Sequence, residues 1–210
     1  MMTEPRVVRR ASSVGRGPKM RAAVLAATLA ELAEKGYAAL TIENVARRAG
    51  VHKTTIYRRW EDCERLVVDA LTDHVAVEVP IPDTGAIETD LREHARALVR
   101  WLTSPIGRAI MAATLSDAAR VPEVADVNRR YFDDRFQRAE PVIAGAIARG
   151  ELPADTDPAE LVKAMIAPIY LRFLVTAEPI DETTADQAAQ AALAVARAGL
   201  LRASAARHEG

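Results

Sequence analysis

The stretch that decides the fold runs from Thr41 to Trp60 and reads TIENVARRAGVHKTTIYRRW. Its apolar residues recur at helical spacing on both sides of Ala49–Gly50–Val51, and a glycine at this point favours a tight turn. We predict one short helix before the turn and another after it. The helix after the turn is expected to begin at His52 and to bury Ile56 and Trp60.

The exposed face of the helix after the turn carries cationic and hydroxyl side chains that suit phosphates and base edges. The sequence groups five of them there: Lys53, Thr54, Thr55, Tyr57 and Arg58. On the helix before the turn, Arg47 and Arg48 are placed to flank the same groove, and Thr41 is the predicted N-cap. Because helix-turn-helix proteins read the major groove through such a face, these residues form our predicted site for double-stranded DNA.

The charge of the chain is unevenly distributed, which supports this interpretation. Residues 1–60 hold twelve Lys and Arg against four Asp and Glu, whereas residues 61–210 hold sixteen against 25. The N-terminal part is therefore attracted to polyanions. Residues 1–17 lack periodicity and are predicted to form a flexible basic arm. The alternative, an ordinary solvated helix face, does not explain why the turn spacing, the arm and the charge excess occur together.

Cysteine usage and hydropathy narrow the class of protein further. Cys63 is the single cysteine, so the chain has no pair for an internal disulfide and suits a reducing cytoplasm. No run of about 18 apolar residues is present, and we expect no membrane partner. The apolar run Ala22–Ala30 follows basic residues as in a secretion signal, but it leads into Glu31 and Glu34 at helical spacing. We expect a cytoplasmic protein.

The pattern is helical throughout the chain, with no alternating strand signal, and predicts an all-α fold. A first helix is expected from Pro18 to Gly36, and Asp62 is expected to cap a fourth helix that ends before Pro80. The segment 80–85 (PIPDTG) marks a boundary. Further helices are predicted to open at Ser104–Pro105, Val121–Pro122 and Asp157–Pro158, and a last one to run from about Thr183 to Ala203. The predicted units are a helix-turn-helix domain with its connecting helix (18–79), a larger helical domain (80–204) and a tail (205–210).

These residues resemble the N-terminal domain of the TetR family of bacterial transcriptional regulators. The similarity covers roughly residues 20–70 and rests on several spacings at once: Ala33–Tyr37 (AEKGY), Thr41, Val45–Ala46, Ala49–Gly50–Val51, Thr55–Ile56–Tyr57, Trp60 and Glu64. A later segment, Gly150–Pro158 (GELPADTDP), is similar to ligand-binding domains of the same family.

The resemblance implies a homodimer that binds a partly palindromic operator, with half-sites ~34–36 Å apart or a multiple of that distance. It implies phosphate contacts for Thr55 and Tyr57, and it puts Lys53, Thr54 and Arg58 nearest the bases. Where the family often has a phosphate-binding lysine this chain has Cys63, which we leave out of the DNA site, and Arg65 or the helix N-terminus is a candidate replacement. The resemblance also implies a repressor that an unknown small-molecule effector releases from DNA by shifting the fourth helix.

Two further sets of residues are assigned within the C-terminal domain. Aromatic and methionine side chains are the predicted pocket lining, with a solid core as the alternative: Trp101, Met111, Tyr131, Phe136, Met165, Tyr170 and Phe173. Small residues at helical spacing on the last helix are the predicted dimer interface, with a helix pair inside one chain as the alternative: Ala188, Ala192, Leu193, Ala196 and Leu200.

Other function classes find less support in the sequence. There is no G-x-S-x-G, no phosphate-binding glycine loop and no paired Cys–His spacing, so we expect no enzyme, cofactor or metal. Asp69, Asp73 and His74 are better interpreted as a solvated helix edge than as a metal site. Cys63 at a helix N-terminus suggests an oxidant-sensing thiol with a lowered pKa, the alternative being a half-buried residue without redox role. A sequence-independent nucleoid protein, or a small helical enzyme, remains the alternative to a regulator.

Overall fold

The computed structural model describes residues 16–118 and 122–202, which are helical apart from turns and an isolated β-bridge between Thr156 and Arg202. The all-α prediction is confirmed. Helices follow in the order α1 (Arg16–Lys35), α2 (Ile42–Ala49), α3 (Lys53–Tyr57), α4 (Cys63–Glu78), α5 (Ile87–Thr103), α6 (Pro105–Ala118), α7 (Pro122–Ala148), α8 (Pro158–Tyr170) and α9 (Glu182–Arg197), with a π-helical segment (Leu171–Thr176) continuing α8. Of the predicted arm and tail, residues 1–15 and 205–210 lie outside the described residues, and Arg16 already belongs to α1.

The first four helices share a small core. α1 packs against both α2 and α4, and α3 lies against α2. Apolar side chains from each helix meet between them, among them Leu32, Val45, Ile56 and Leu66, all buried. Burial of such side chains, rather than the propensity of short helices, holds α2 and α3 in place.

Helix α4 connects the two parts of the molecule, since it packs against α1 on one side and α7 on the other. Arg21 of α1 pairs with Asp69 and Asp73 of α4 at 2.9 and 2.5 Å. Near the start of α4, Glu64 pairs with Arg130 of α7 at 3.1 Å. Helix α4 is therefore in contact with both α1 and α7 through packing and ion pairs.

The C-terminal helices form a bundle in which α9 packs against α5 and α8, and α7 packs against α8. A bidentate pair between Arg96 of α5 and Asp186 of α9, with both N–O distances 2.7 Å, fixes the register of those helices. No helix in the described ranges is long and apolar enough to cross a membrane.

Helix ends follow local sequence signals, with two differences from prediction. Asp62 and Asp157 cap α4 and α8 as expected, their carboxylates accepting backbone N–H groups within 3.1 Å. Trp60, expected inside α3, lies after it. α9 ends at Arg197 rather than Ala203 because the chain turns at Gly199, whose φ of 70° is left-handed.

Candidate nucleic-acid interface and inner cavity

The turn between α2 and α3 is built by two local devices. Thr41 caps α2 as predicted, its Oγ1 accepting from the backbone N–H of Asn44 at 3.2 Å. Gly50 ends the helix with φ 67° and ψ 33°, and the following Val51 N–H donates to the carbonyl of Ala46 at 3.0 Å. A left-handed glycine here lets α3 leave α2 at a sharp angle.

The buried side of α3 is anchored to α4. Ile56 is fully buried, and the Trp60 backbone N–H donates to its carbonyl at 2.8 Å. The indole N–H of Trp60 donates to Asp69 Oδ2 at 2.9 Å, and Asp69 in turn pairs with Arg21. The orientation of α3 therefore depends on α4 through a tryptophan that the sequence assigned only to the core.

The opposite side of α3 faces solvent and carries the predicted DNA-binding groups. Lys53, Thr54 and Tyr57 are exposed, whereas Thr55 is half-buried beside them. Arg58 is exposed at the C-cap rather than within the helix. Lys53 pairs loosely with Glu43 at 3.2 Å, and because both side chains are more than half exposed this contact is readily exchanged for a phosphate.

The two arginines of α2 differ from each other. Arg47 is exposed and donates to Asn44 Oδ1 at 2.6 Å, which leaves it available at the groove edge. Arg48 pairs with the buried Glu31 at 3.0 Å and with Glu34, and its hydrogen bond to Glu34 raises the pKa of its guanidinium. We correct the assignment of Arg48, which clamps α2 to α1 because its donors are occupied by carboxylates.

Arg59 was missed in the sequence and belongs beside the site. Its side chain is exposed next to Arg58, and its guanidinium carbon lies 5.4 Å from the centre of the Trp60 ring. The signal was present as a second arginine in the RRW triplet. Arg65, the candidate replacement for the missing lysine, is exposed and pairs with Glu61 at 3.2 Å.

Cys63 does not have the environment of an oxidant sensor. It is half-buried as the first residue of α4, and burial raises the pKa of its thiol to about 11, with the nearby Asp62 adding to the effect. The expected lowering by the helix N-terminus is thus outweighed by desolvation. A raised pKa leaves little of the reactive thiolate that the sensor hypothesis requires, which favours the alternative of a half-buried residue without redox role.

An inner cavity of ≈ 250 Å³ lies between α4, α5, α6, α7 and the end of α8. Four of the seven predicted pocket residues line it, Trp101, Met111, Tyr131 and Tyr170. Phe132, which belongs to the same aromatic set of the sequence, lines it as well, and five further lining residues were not predicted: Leu71, Val75, Ile110, Asn128 and Leu174. The walls are mainly apolar, as in sites for small organic molecules.

A narrow crevice of ≈ 20 Å³ adjoins this cavity and shares Val75, Tyr131, Phe132 and Tyr170 with it. The predicted residue Phe136 lines the crevice together with His94 and Arg135, which were not predicted. The residues that His94 and Arg135 contact in the crevice are distant from them in sequence, so no local sequence pattern predicts that these two side chains line it.

Two predicted pocket residues lie elsewhere. Met165 is fully buried in the core and lines neither space, so for this residue the solid-core alternative is correct. Phe173 lines a separate surface groove near Thr103 and Arg108. Both residues lie on a side of their helix that does not face the cavity. The hydrophobicity of a residue does not specify which space its side of the helix faces.

The acidic edge of α4 is structural. Asp69 and Asp73 pair with Arg21, and His74 Nε2 accepts from the indole N–H of Trp101 at 3.3 Å. Among the described residues no group of three His, Cys, Asp or Glu side chains is arranged to hold a metal ion.

The predicted dimer face of α9 is buried within the chain, which corrects that assignment. Ala188, Ala192, Leu193 and Ala196 are at most 4% exposed because this face packs against neighbouring helices of the same chain, α5 and α8. Leu200 is exposed but lies beyond the end of α9. The intramolecular alternative therefore holds for this face.

A different apolar face is open to solvent on α8, the π-helical segment and α9. Its residues follow helical spacing and are all exposed: Ala167, Pro168, Leu171 and Val175 on the first two, and Ala191, Ala194 and Val195 on α9. We call this set the α8–α9 apolar face. It runs along two helices that pack against each other.

Comparison with known proteins agrees with this architecture. Residues 24–70 match the family described as bacterial regulatory proteins, tetR family, and residues 81–192 match the tetracyclin repressor-like C-terminal domain. The HTH-type transcriptional regulator AqdR of Rhodococcus erythropolis is 37% identical over 180 residues, covering 85% of this chain and 86% of AqdR.

Two further relatives extend the comparison. The DNA-binding transcriptional repressor TetR of Mycobacteroides abscessus is 34% identical over 178 residues, covering 80% of this chain and 89% of that protein. The crystal structure of the TetR-family regulator SCO0332 superposes with a TM-score of 0.69 at 30% identity, covering 84% of this chain and 97% of that one. The chain is thus a member of the TetR family, which consists of DNA-binding transcriptional regulators and is not a family of enzymes.

Proposed function

We propose that this chain is a repressor that binds a partly palindromic operator as a homodimer and leaves it when a small-molecule effector binds. The observation that carries the proposal is the two-sided character of α3. Lys53, Thr54 and Tyr57 face solvent, while Ile56 is buried and Trp60 is hydrogen-bonded to α4. A cationic face held rigidly from behind suits insertion into the major groove. The repressor of Mycobacteroides abscessus, 34% identical, supports repression.

The contacts in the proposed complex follow from exposure. Tyr57 and Thr55 bind phosphates, and Lys53, Thr54 and Arg58 lie nearest the bases. Arg47 and Arg59 extend the cationic surface along the groove edge, and Thr41, exposed at the N-cap of α2, adds a neutral hydroxyl for a phosphate contact. Arg48 contributes by holding α2 against α1.

The proposed dimer uses the α8–α9 apolar face. Family members act as dimers, and this face is the exposed apolar surface that two helices share in the described part of the chain. Pairing of this face with its copy through a two-fold axis would form a four-helix interface, and operator binding then requires that both α3 helices face one side of a duplex.

The proposed effector site is the inner cavity. Leu71 and Val75 of its wall belong to α4, so a ligand in the cavity contacts the helix that holds Trp60 and α3. A change in the position of α4 alters the spacing of the paired α3 helices. For a tenfold loss of DNA affinity the ligand has to favour the released state by about 1.4 kcal/mol.

The proposal places the protein with the chromosome in the bacterial cytoplasm and assigns it no catalytic role, cofactor or metal. The relevant alternative is a nucleoid-type protein that binds DNA without sequence preference. Selection of bound fragments from a random DNA pool tests between them. We expect a symmetric consensus bound roughly 10³-fold or more tightly than random DNA. Equal binding of all fragments would contradict the proposal and favour the nucleoid alternative.

Two variants of α3 then test the assigned contacts on the selected operator and on random DNA. Tyr57→Phe removes a phosphate contact and is expected to weaken both duplexes by a similar factor. Lys53→Ala is expected to reduce the preference for the operator as well and to lower the salt slope by about one. Lys163→Ala on α8, a half-buried lysine that is also paired with a glutamate, serves as control. If neither variant differs from this control in a mobility-shift titration, the reading face is assigned wrongly.

A further inference from the structure

Arg135 of α7 is a buried cation without a carboxylate partner in the described part of the chain. It is 6% exposed, and its Nη2 donates to the carbonyl oxygen of Val79, just after α4, at 2.8 Å. The same nitrogen lies 3.5 Å from His94 Nε2. Buried arginines are ordinarily paired with an acid, because desolvating an unpaired charge is costly.

The groups around Arg135 do not supply the missing negative charge. Asp134, its neighbour in the chain, is engaged by Arg138 on the outside of α7 at 2.6 and 3.2 Å. Burial lowers the pKa of His94 to about 4, so this ring is neutral at pH 7. Burial likewise raises the pKa of Tyr131 to about 12, so its phenol stays protonated.

The hydrogen bonds of His94 direct its other nitrogen toward Arg135. Its Nδ1 lies 2.6 Å from the carbonyl oxygen of Pro80, and because a carbonyl only accepts, Nδ1 must carry the proton. Nε2 is then an acceptor facing the guanidinium. The local set is thus one positive charge, two backbone carbonyls and neutral rings.

Arg135 lines the crevice, which shares four lining residues with the inner cavity, but it does not itself line that cavity, so a ligand's anionic group has to reach it through the crevice. The crevice has room for about one water molecule, ≈ 20 Å³, whereas the adjoining cavity offers ≈ 250 Å³ behind mainly apolar walls. Tyr131 and Tyr170 line both spaces, so their rings form part of the boundary between the crevice and the cavity. A ligand with an apolar body and one anionic end suits this site, because the body would occupy the apolar cavity and the anionic end would face the guanidinium in the crevice.

We propose that the cavity binds small organic acids with an apolar or aromatic body, the anionic group pairing with Arg135. The inference rests on the proposed effector function of the same cavity and adds the chemical class of the effector. The pairing competes for a guanidinium that also binds Val79, so it acts directly on the end of α4. A neutral ligand of the same shape would leave the buried charge uncompensated.

The test compares acids with their uncharged amides of nearly identical shape. The probes are 2-naphthoate with 2-naphthamide and octanoate with octanamide, titrated calorimetrically into the full chain at pH 7.5 without DNA. We expect at least one acid to bind tenfold or more tightly than its amide. Arg135→Gln should reduce that ratio to near one, whereas the matched control Arg129→Gln, an exposed arginine of the same helix that pairs with Asp126, should leave it unchanged.

A second variant separates loss of charge from loss of fold. Arg135→Lys keeps the positive charge and is expected to retain a preference for the acid, and circular dichroism checks that each variant is folded. Amides that bind as tightly as acids, acids that do not bind at all, or a preference that survives in Arg135→Gln would each overturn the inference. A chain that selects a symmetric operator but shows no preference for acids refutes the ligand class alone. A chain that prefers acids but binds no DNA refutes the regulator instead.

Discussion

Arginines of the same type have different roles in this protein according to what surrounds each guanidinium. Arg58 is exposed beside α3, Arg48 is occupied by Glu31 and Glu34, and Arg135 is buried without an acid among the described residues. The first is available to DNA, the second holds two helices together, and the third is available to a ligand. Exposure and partners, rather than residue type, decide the role of each charge.

His94 allows a prediction at the same scale. Its pKa is depressed by burial from 6.5 to about 4, so the unfolded chain binds a proton more readily than the folded one. The burial of neutral His94 therefore does not reduce the free energy of unfolding above about pH 6.5. As the pH falls from 6.5 toward 4, protonation of the unfolded chain lowers the free energy of unfolding, by up to about 3 kcal/mol below pH 4. Urea unfolding of wild type and His94→Gln between pH 7.5 and 4.5 measures this difference. Parallel pH dependences in the two proteins would show that the ring is not desolvated as the structure indicates.

At the scale of elements, the position of α3 depends on the turn that precedes it. Gly50 has φ 67°, which a residue with a Cβ adopts at a cost of about 1–2 kcal/mol. Gly50→Ala is expected to lower the free energy of unfolding by that amount and to weaken operator binding. Gly17→Ala is the matched control, since Gly17 lies in α1 with open space around its Cβ position. Equal stability of the two variants in urea titrations would mean that the turn relaxes without strain.

At the scale of the whole molecule, DNA reading requires two copies. Val175 lies on the α8–α9 apolar face and is 73% exposed, and Val77 on α4 is 76% exposed but outside that face. Val175→Glu is expected to produce a folded monomer with operator affinity reduced at least tenfold, because burying unpaired charges at a two-fold axis is unfavourable. Val77→Glu should remain dimeric. Sedimentation at micromolar concentration measures both, and a Val175→Glu dimer would place the interface elsewhere.

Local interactions made much of the fold predictable from sequence. Thr41, Asp62 and Asp157 cap helices, and Gly50 ends one, through contacts with residues only a few positions away. The exposed face of α3 follows from the spacing of Ile56 within the same helix. The end of α9 was missed because Gly199, two residues after the last residue of the helix, outweighs the alanine-rich pattern around it.

The sequence by itself thus determined the helices, their caps and the cationic surface around Lys53–Arg58, since each depends on neighbours along the chain. Only the tertiary structure decided that Arg48 is a clamp, that α9 turns its small residues inward against α5, and that Arg135 is buried beside His94. These outcomes depend on contacts between residues 14 to 90 positions apart, from the Arg48–Glu34 pair to the Arg96–Asp186 pair. Periodicity shows which face of a helix is apolar, but the element that covers that face is selected by packing of the whole chain.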